Sequence, residues 1–303
     1  MPPTRPPARP PLKPAPAAKP AVTLQSNNIF DDLVEDLPGH GKFLMLYSEA
    51  GMGKTTLAAQ FPDPIFITTA GEQGIHLYKQ RGLVDKKIPV IGLPAPVDNE
   101  ELVAGAGSIG WNKCMDALQR FHDGGHNKKT VIIDSVSGLQ DLCFQHSASM
   151  LFGGDMNSKE FTDFYRGYSK AAEQFWGPQF LRLCLAIVKQ GYNVILIAHS
   201  TPKEVENPTG PNYTRYEPAL TKPIWSLTKK DLHGVFFLGQ EVIVAVDTKK
   251  KQTKAQAERR FIGMLPSTYY IAKTWCTTEG TAEIDCGDTA AATYEKLQEV
   301  LAT

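Results

Sequence analysis

No two of the five cysteines (Cys114, Cys143, Cys184, Cys276 and Cys286) form a C-x-x-C pair. Their spacing excludes a zinc ribbon and a disulfide scaffold, and it fits a reducing, cytoplasmic setting. The chain also lacks any apolar run near the ~18 residues that a membrane span requires, so no membrane partner is expected. Net charge is absent too, with 32 Lys and Arg against 32 Asp and Glu. A protein held on nucleic acid by a global basic field is therefore excluded, and any basic surface must be local. No internal repeat is visible, which removes a solenoid. The first 20 residues lack acid altogether but hold nine prolines with Arg5, Arg9, Lys13 and Lys19. Such a segment cannot bury apolar surface, so residues 1–27 are expected to be a disordered, proline-rich basic tail. It has neither the apolar stretch of a secretion signal nor the amphipathic helix of a transit peptide.

What is present is ordinary for a globular domain: 42% hydrophobic residues and 25 glycines. Residues 28–303 are long enough for one large α/β domain. The most informative stretch runs from Phe43 to Thr56, FLMLYSEAGMGKTT. It reads as a buried strand, a glycine loop and the opening of a helix, the context of a phosphate-cradling P-loop. Backbone N–H groups of Glu49, Ala50, Gly51, Met52, Gly53, Lys54, Thr55 and Thr56 are the expected phosphate contacts. Lys54 is expected to reach the β- and γ-phosphates of a nucleoside triphosphate, and the Thr55 hydroxyl to bind Mg2+. One position departs from G-x-x-x-x-G-K-[ST]: Ser48 stands where the first glycine belongs.

Four further apolar runs predict strands: Pro64–Thr68, Ile88–Gly92, Thr130–Asp134 and Asn193–His199. Trp111–His122 and Pro178–Gln190 carry apolar stripes at helical spacing. Alternating strands and helices after a P-loop predict a doubly wound, mostly parallel sheet. Beyond residue 230, Val235–Leu238, Glu241–Asp247, Arg260–Leu265 and Tyr269–Thr274 read as antiparallel strands added to its edge, and Thr289–Leu301 as a closing helix. His122 and His126 have metal-like spacing but flank a glycine turn with no further ligands in view.

The strand Thr130–Asp134 ends in a carboxylate that can support Mg2+ beside a P-loop. No glutamate follows it; the position is Ser135. The best candidate to orient an attacking water is then Glu72, in the loop at the carboxyl end of the second strand, the face where open α/β sheets bind ligands. From Thr201 to Lys222 no periodicity is visible among four prolines, which predicts a functional or mobile loop.

These features in this order, a P-loop strand, an acid soon after strand two, a strand ending I-I-D-S and one ending I-A-H-S, resemble the RecA-like ATPases. The similarity is to the compact bacteriophage ATPases of recombination and single-strand annealing, over roughly residues 40–275. The resemblance implies a RecA-like P-loop NTPase fold and a Mg-dependent ATPase, cytoplasmic in the host if phage-encoded. It implies Glu72 as catalytic glutamate, and His199 as the polar residue that senses the γ-phosphate and relays its state to the DNA-binding loop. Lys273 matches a cation supplied to the neighbouring subunit's γ-phosphate, although the next basic position is Trp275. It further implies self-association into a ring or filament and action on single-stranded DNA, with a single-strand-binding protein as a candidate partner. Tyr213, Arg215 and Tyr216 offer stacking faces and a cation, and Lys249, Lys250 and Lys251 a basic hairpin tip for phosphates. Two other classes remain open: a non-catalytic nucleotide-gated assembly or adaptor module, and a P-loop nucleoside or nucleotide kinase.

Overall fold

The computed structural model describes residues 40–96, 106–247, 252–275 and 281–301, except for the side chains of 106, 242–247 and 252–258. The expected tail and Lys249, Lys250 and Lys251 lie outside the described residues. In chain order the elements begin β1 (Phe43–Ser48), α1 (Lys54–Ala58), β2 (Pro64–Thr68), α2 (Gly74–Gln80), β3 (Val90–Gly92), α3 (Ile109–Asp123), β4 (Thr130–Asp134) and α4 (Val136–Leu151). Short helices α5 (Lys159–Thr162) and α6 (Arg166–Ala171) lead through a π-helical stretch, Ala172–Leu181, into α7 (Arg182–Lys189). Then follow β5 (Asn193–Val205), β6 (Tyr213–Pro218), α8 (Lys222–Asp231), β7 (Gly234–Asp247), β8 (Gln252–Gly263), β9 (Lys273–Thr274), β10 (Glu283–Asp285) and α9 (Ala290–Leu301).

The sheet runs β10-β8-β7-β1-β5-β4-β2-β3, with β6 paired to β5 and β9 to β7 off this path. The central strands are parallel, which explains why they read as unbroken apolar runs rather than as alternation: both faces are covered. Phe43, Met45 and Tyr47 of β1 enter one core with Trp111 of α3, Leu139 of α4, Trp176 of the π-helical stretch and Ile187 of α7. Leu44 and Leu46 enter the other, with Leu57 of α1, Ile75 of α2 and Leu297 of α9. Fully burying side chains of this size is worth about 1.5–3 kcal/mol each, so β1 is the best-anchored strand and holds the loop that follows it. Register pairs Ser48 with His199 and Thr68 with Asp134, which brings the carboxyl ends of β1, β5, β4 and β2 to one edge.

Several expectations are corrected. The stretch after His199 is not a loop: β5 continues through Val205, and β6 folds back antiparallel with Val205 opposite Tyr213. Pairing satisfies backbone groups that a loop would leave to water. The predicted strands 235–238 and 241–247 are one strand, and it lies parallel to β1 before pairing antiparallel with β8. Tyr269–Thr274 supplies only β9 and a bridge from Tyr270 to Tyr216. Pro178 sits inside a helical run instead of starting one, in the π-helical stretch where the backbone is already displaced from α geometry.

Candidate nucleotide site at the carboxyl edge of the sheet

Gly51 and Gly53 have φ of 81° and 89°, a region that a Cβ would disfavour. Ser48 has no such φ, so the missing first glycine is not required by the backbone. Its side chain has a use of its own. The buried Lys54 ammonium donates to Ser48 Oγ at 3.1 Å, to Ser48 O at 3.0 Å and to Glu49 O at 2.8 Å. Ser48 Oγ in turn donates to Glu49 O at 2.9 Å. The serine thus braces both the loop and the lysine head. Burial lowers the Lys54 pKa, while Asp134 and Glu72 oppose the shift. Helix α1 is only five residues long, so the anion site depends on the leading amides from Gly51 to Thr56 more than on a long macrodipole.

Thr55 Oγ1 donates to Asp134 Oδ2 at 2.9 Å. The contact spans β5, which lies between β1 and β4. Burial pushes the Asp134 carboxyl up to about 6, against the hydrogen bond from Thr55. A hydroxyl and a buried carboxylate form a hard-oxygen pair of the kind that suits Mg2+, which keeps most of its shell for water and phosphate. Among the described residues no group of three His, Cys, Asp or Glu could hold a metal by itself. The residues present fit an ion delivered with a nucleotide.

Glu72 Oε1 lies 2.6 Å from His199 Nε2. That hydrogen bond, opposed by desolvation and assisted by Ser135, holds the Glu72 carboxyl below its ordinary range, so it is an anion at neutral pH. The first turn of α4 ties this pair to the rest of the site. Ser135 caps α4 by accepting from Gly138 N at 3.2 Å. Its own N–H donates to Thr69 Oγ1 at 3.2 Å, while Thr69 N donates to Asp134 O at 2.9 Å. Ser137 Oγ receives His199 N at 3.1 Å. Sequence reasoning missed Thr69, Ser135 and Ser137. Ser135 was visible only as the absence of a glutamate, although a serine ahead of V-S-G after a strand is a helix-cap signal.

Lys273 is engaged within its own chain. Its ammonium donates to Lys229 O at 2.8 Å and Lys230 O at 3.2 Å, and lies 3.5 Å over the Trp275 ring. The last carbonyls of α8 lack helical partners and attract a cation, so Lys273 caps that helix. Trp275, which replaces the expected second cation, holds the first.

The aromatic and basic residues of β6 are also used internally. Arg215 is bound by Glu217 at 2.6 Å, with Lys203 3.5 Å from the same carboxylate. Tyr216 stacks on Phe237 with centroids 5.5 Å apart and planes at 20°. It lines a cleft of about 690 Å³ beside the P-loop, whose rim includes Glu49, Glu241 and Glu283. Carboxylates there repel a phosphate backbone. Tyr213 stays partly exposed on β6.

The sequence matches the AAA domain family over residues 40–276, a span that contains the P-loop, Glu72, Asp134 and His199. The chain belongs to the AAA domain family. Family and sheet together establish an α/β P-loop nucleotide-binding domain of the AAA kind, with parallel central strands, flanking helices and antiparallel strands near the C-terminus. No curated protein matches the sequence. Among solved structures, the flagellar accessory protein FlaH from Methanocaldococcus jannaschii is similar at 13% identity and a TM-score of 0.41, over 77% of this chain and 80% of that one. No helix among the described residues is long and apolar enough to cross a membrane.

Proposed function

We propose that this AAA-family chain is a Mg2+-dependent ATPase that uses hydrolysis as a switch, with single-stranded DNA as its effector. The observation that carries the hydrolysis reading is the ionised Glu72 carboxylate, held 2.6 Å from His199 and close enough to Lys54 to affect its charge. In this reading Lys54 and the loop amides bind the triphosphate, while Thr55 and Asp134 hold Mg2+. The ion, when bound, supplies charge neutralisation at the phosphates. Glu72 orients water for in-line attack on the γ-phosphorus, the P–O bond to ADP breaks, and the water's proton leaves with the phosphate product or solvent.

His199 supports a gating role. It stands on β5 directly before the β5–β6 hairpin, and its carbonyl accepts from Ala219 N at 2.7 Å at the base of that hairpin. A movement of the hairpin is therefore transmitted to the imidazole that restrains Glu72. The DNA part of the reading is supported by the resemblance to recombination ATPases and by Lys249, Lys250 and Lys251 in the connection between β7 and β8. The internal use of Arg215 and Tyr216 shifts the proposed contact from the hairpin to that connection.

Single-turnover ATP hydrolysis with and without single-stranded DNA tests the reading. Acceleration by DNA supports it. Hydrolysis that ignores DNA removes the effector, and no hydrolysis in either condition favours a nucleotide-gated adaptor. Transfer of the phosphoryl group to an added nucleoside would make the protein a kinase.

A further inference from the structure

Arg259 and Arg260 are neighbours on β8 with different partners. The Arg259 guanidinium is bound by Asp285 at 2.6 Å and Glu283 at 2.7 Å, which ties β8 to β10. Arg260 turns to the P-loop. Its exposed guanidinium donates to Met52 O at 3.0 Å, and a Cβ added to Gly53 would lie 3.4 Å from it. Among the described residues Arg260 forms no ion pair, so a cation with most of its five donors unused stands at the loop.

The sheet order gives that cation a direction. Glu72, Asp134 and His199 come from β2, β4 and β5, all on one side of β1, whereas Arg260 comes from β8 on the other side. A triphosphate whose γ-phosphate faces Glu72 carries its α-phosphate toward the β7–β8 side. There a recess of about 80 Å³ opens between Gly53, Thr56, Arg260 and Gly287–Thr289. At about 30 Å³ per water, that is room for a phosphate oxygen or a ribose edge.

We propose that Arg260 is a nucleotide-binding residue acting in cis, which holds the α-phosphate end of the nucleotide from the side opposite the reacting group. This rests on the reading of the P-loop as a nucleoside-triphosphate site. A guanidinium suits phosphate because its donors are planar and paired. The α-phosphate does not change during hydrolysis, so the contact is equal in ground and transition states and contributes affinity without rate.

Calorimetric titration of the full chain with Mg2+ and ATP or ADP, and single-turnover hydrolysis at saturating ATP, test the assignment on wild type, Arg260→Gln and Arg260→Lys. Arg260→Gln is expected to weaken ATP and ADP alike, by roughly tenfold, as for other hydrogen bonds to charged groups. Turnover at saturation should stay within about twofold of wild type, because uniform binding leaves kcat unchanged. Arg260→Lys should recover part of the affinity. Weakening of ATP but not ADP, a collapse of turnover at saturation, or unchanged affinities in both variants would each overturn the proposal. Lys54→Ala serves as the separate control: if it binds ATP like wild type, the P-loop reading itself fails, whereas lost binding there with unaltered Arg260→Gln removes Arg260 alone.

Discussion

On the β5 side of β1, charged groups meet one another: Lys54 lies near Asp134 and Glu72, Thr55 bonds to Asp134, and Glu72 bonds to His199. On the β7 side the groups beside the loop are Met52, Leu238, Phe237 and the Arg260 guanidinium, and the cleft there is also lined by Glu49, Glu241, Arg259 and Glu283. The first flank is a partly buried network in which Lys54, Glu72 and Asp134 bear on one another's charge. The second is a mixed wall of aromatic and aliphatic side chains on which Arg259 is already held by carboxylates and Arg260, among the described residues, is not. Chemistry that moves charge needs the first arrangement, and binding that merely locates a ligand is served by the second.

The largest expected effect on stability that sharpens this contrast is at Asp134. Its folded-state pKa is raised from 3.8 to about 6 by burial, so the native state binds the proton more tightly than the unfolded chain. The cost of ionising it is absent below about pH 4, grows between pH 4 and 6 and is complete above, so stability falls as pH rises through that window. Asp134→Asn should therefore stabilise the nucleotide-free protein at pH 7 by about 2–3 kcal/mol, at 1.36 kcal/mol per pKa unit. It should also weaken the Mg2+-dependent part of ATP binding. Urea unfolding at pH 4.5 and 7 checks the first; a variant no more stable than wild type at pH 7 would show that Asp134 is not strained by burial.

A second test breaks the network by packing alone. A Cβ on Gly138 would meet Thr69 Oγ1 at 2.5 Å and Thr69 Cβ at 2.9 Å. Gly138→Ala should destabilise the fold by about 1–3 kcal/mol, as overpacking does, and should slow turnover by displacing the Glu72 loop. Thermal unfolding and single-turnover rates measure both; an unchanged rate would detach Thr69 from the site. The smallest effect is expected at His199. Without the imidazole Glu72 loses its restraint, so His199→Ala should raise basal turnover about two- to fivefold, under 1.4 kcal/mol, and should abolish stimulation by DNA. Retained stimulation would remove His199 as the relay.

The flanks also differed in how well they could be read from sequence. β2 and β4 lie at their expected boundaries, and β1 begins at Phe43 as expected, because strands buried on both faces appear as apolar runs between turns. Lys54, Thr55 and Asp134 were legible because each sits at a strand end or loop of known chemistry, and Glu72 because it follows β2. The β7 side was harder. Val235–Leu238 and Glu241–Asp247 looked like two strands because Gly239 and Gln240 interrupt the apolar pattern, yet pairing to β8 continues through them. The β5–β6 hairpin was hidden for a related reason: Glu204, Glu206 and Glu217 with Lys203 and Arg215 leave no apolar alternation to detect. The place of Arg260 beside the P-loop could not be read from the sequence, since its contact with Met52 joins residues 208 positions apart.

The most direct test of the division between the two flanks is Glu72→Gln, measured as ATP affinity by calorimetry and as single-turnover hydrolysis. The expected result is affinity within about twofold of wild type and turnover lowered by about 10²–10⁴-fold, the range for a positioned acid–base group. Undiminished turnover, or lost ATP binding in a folded variant, would contradict the placement of the chemistry on the β5 side.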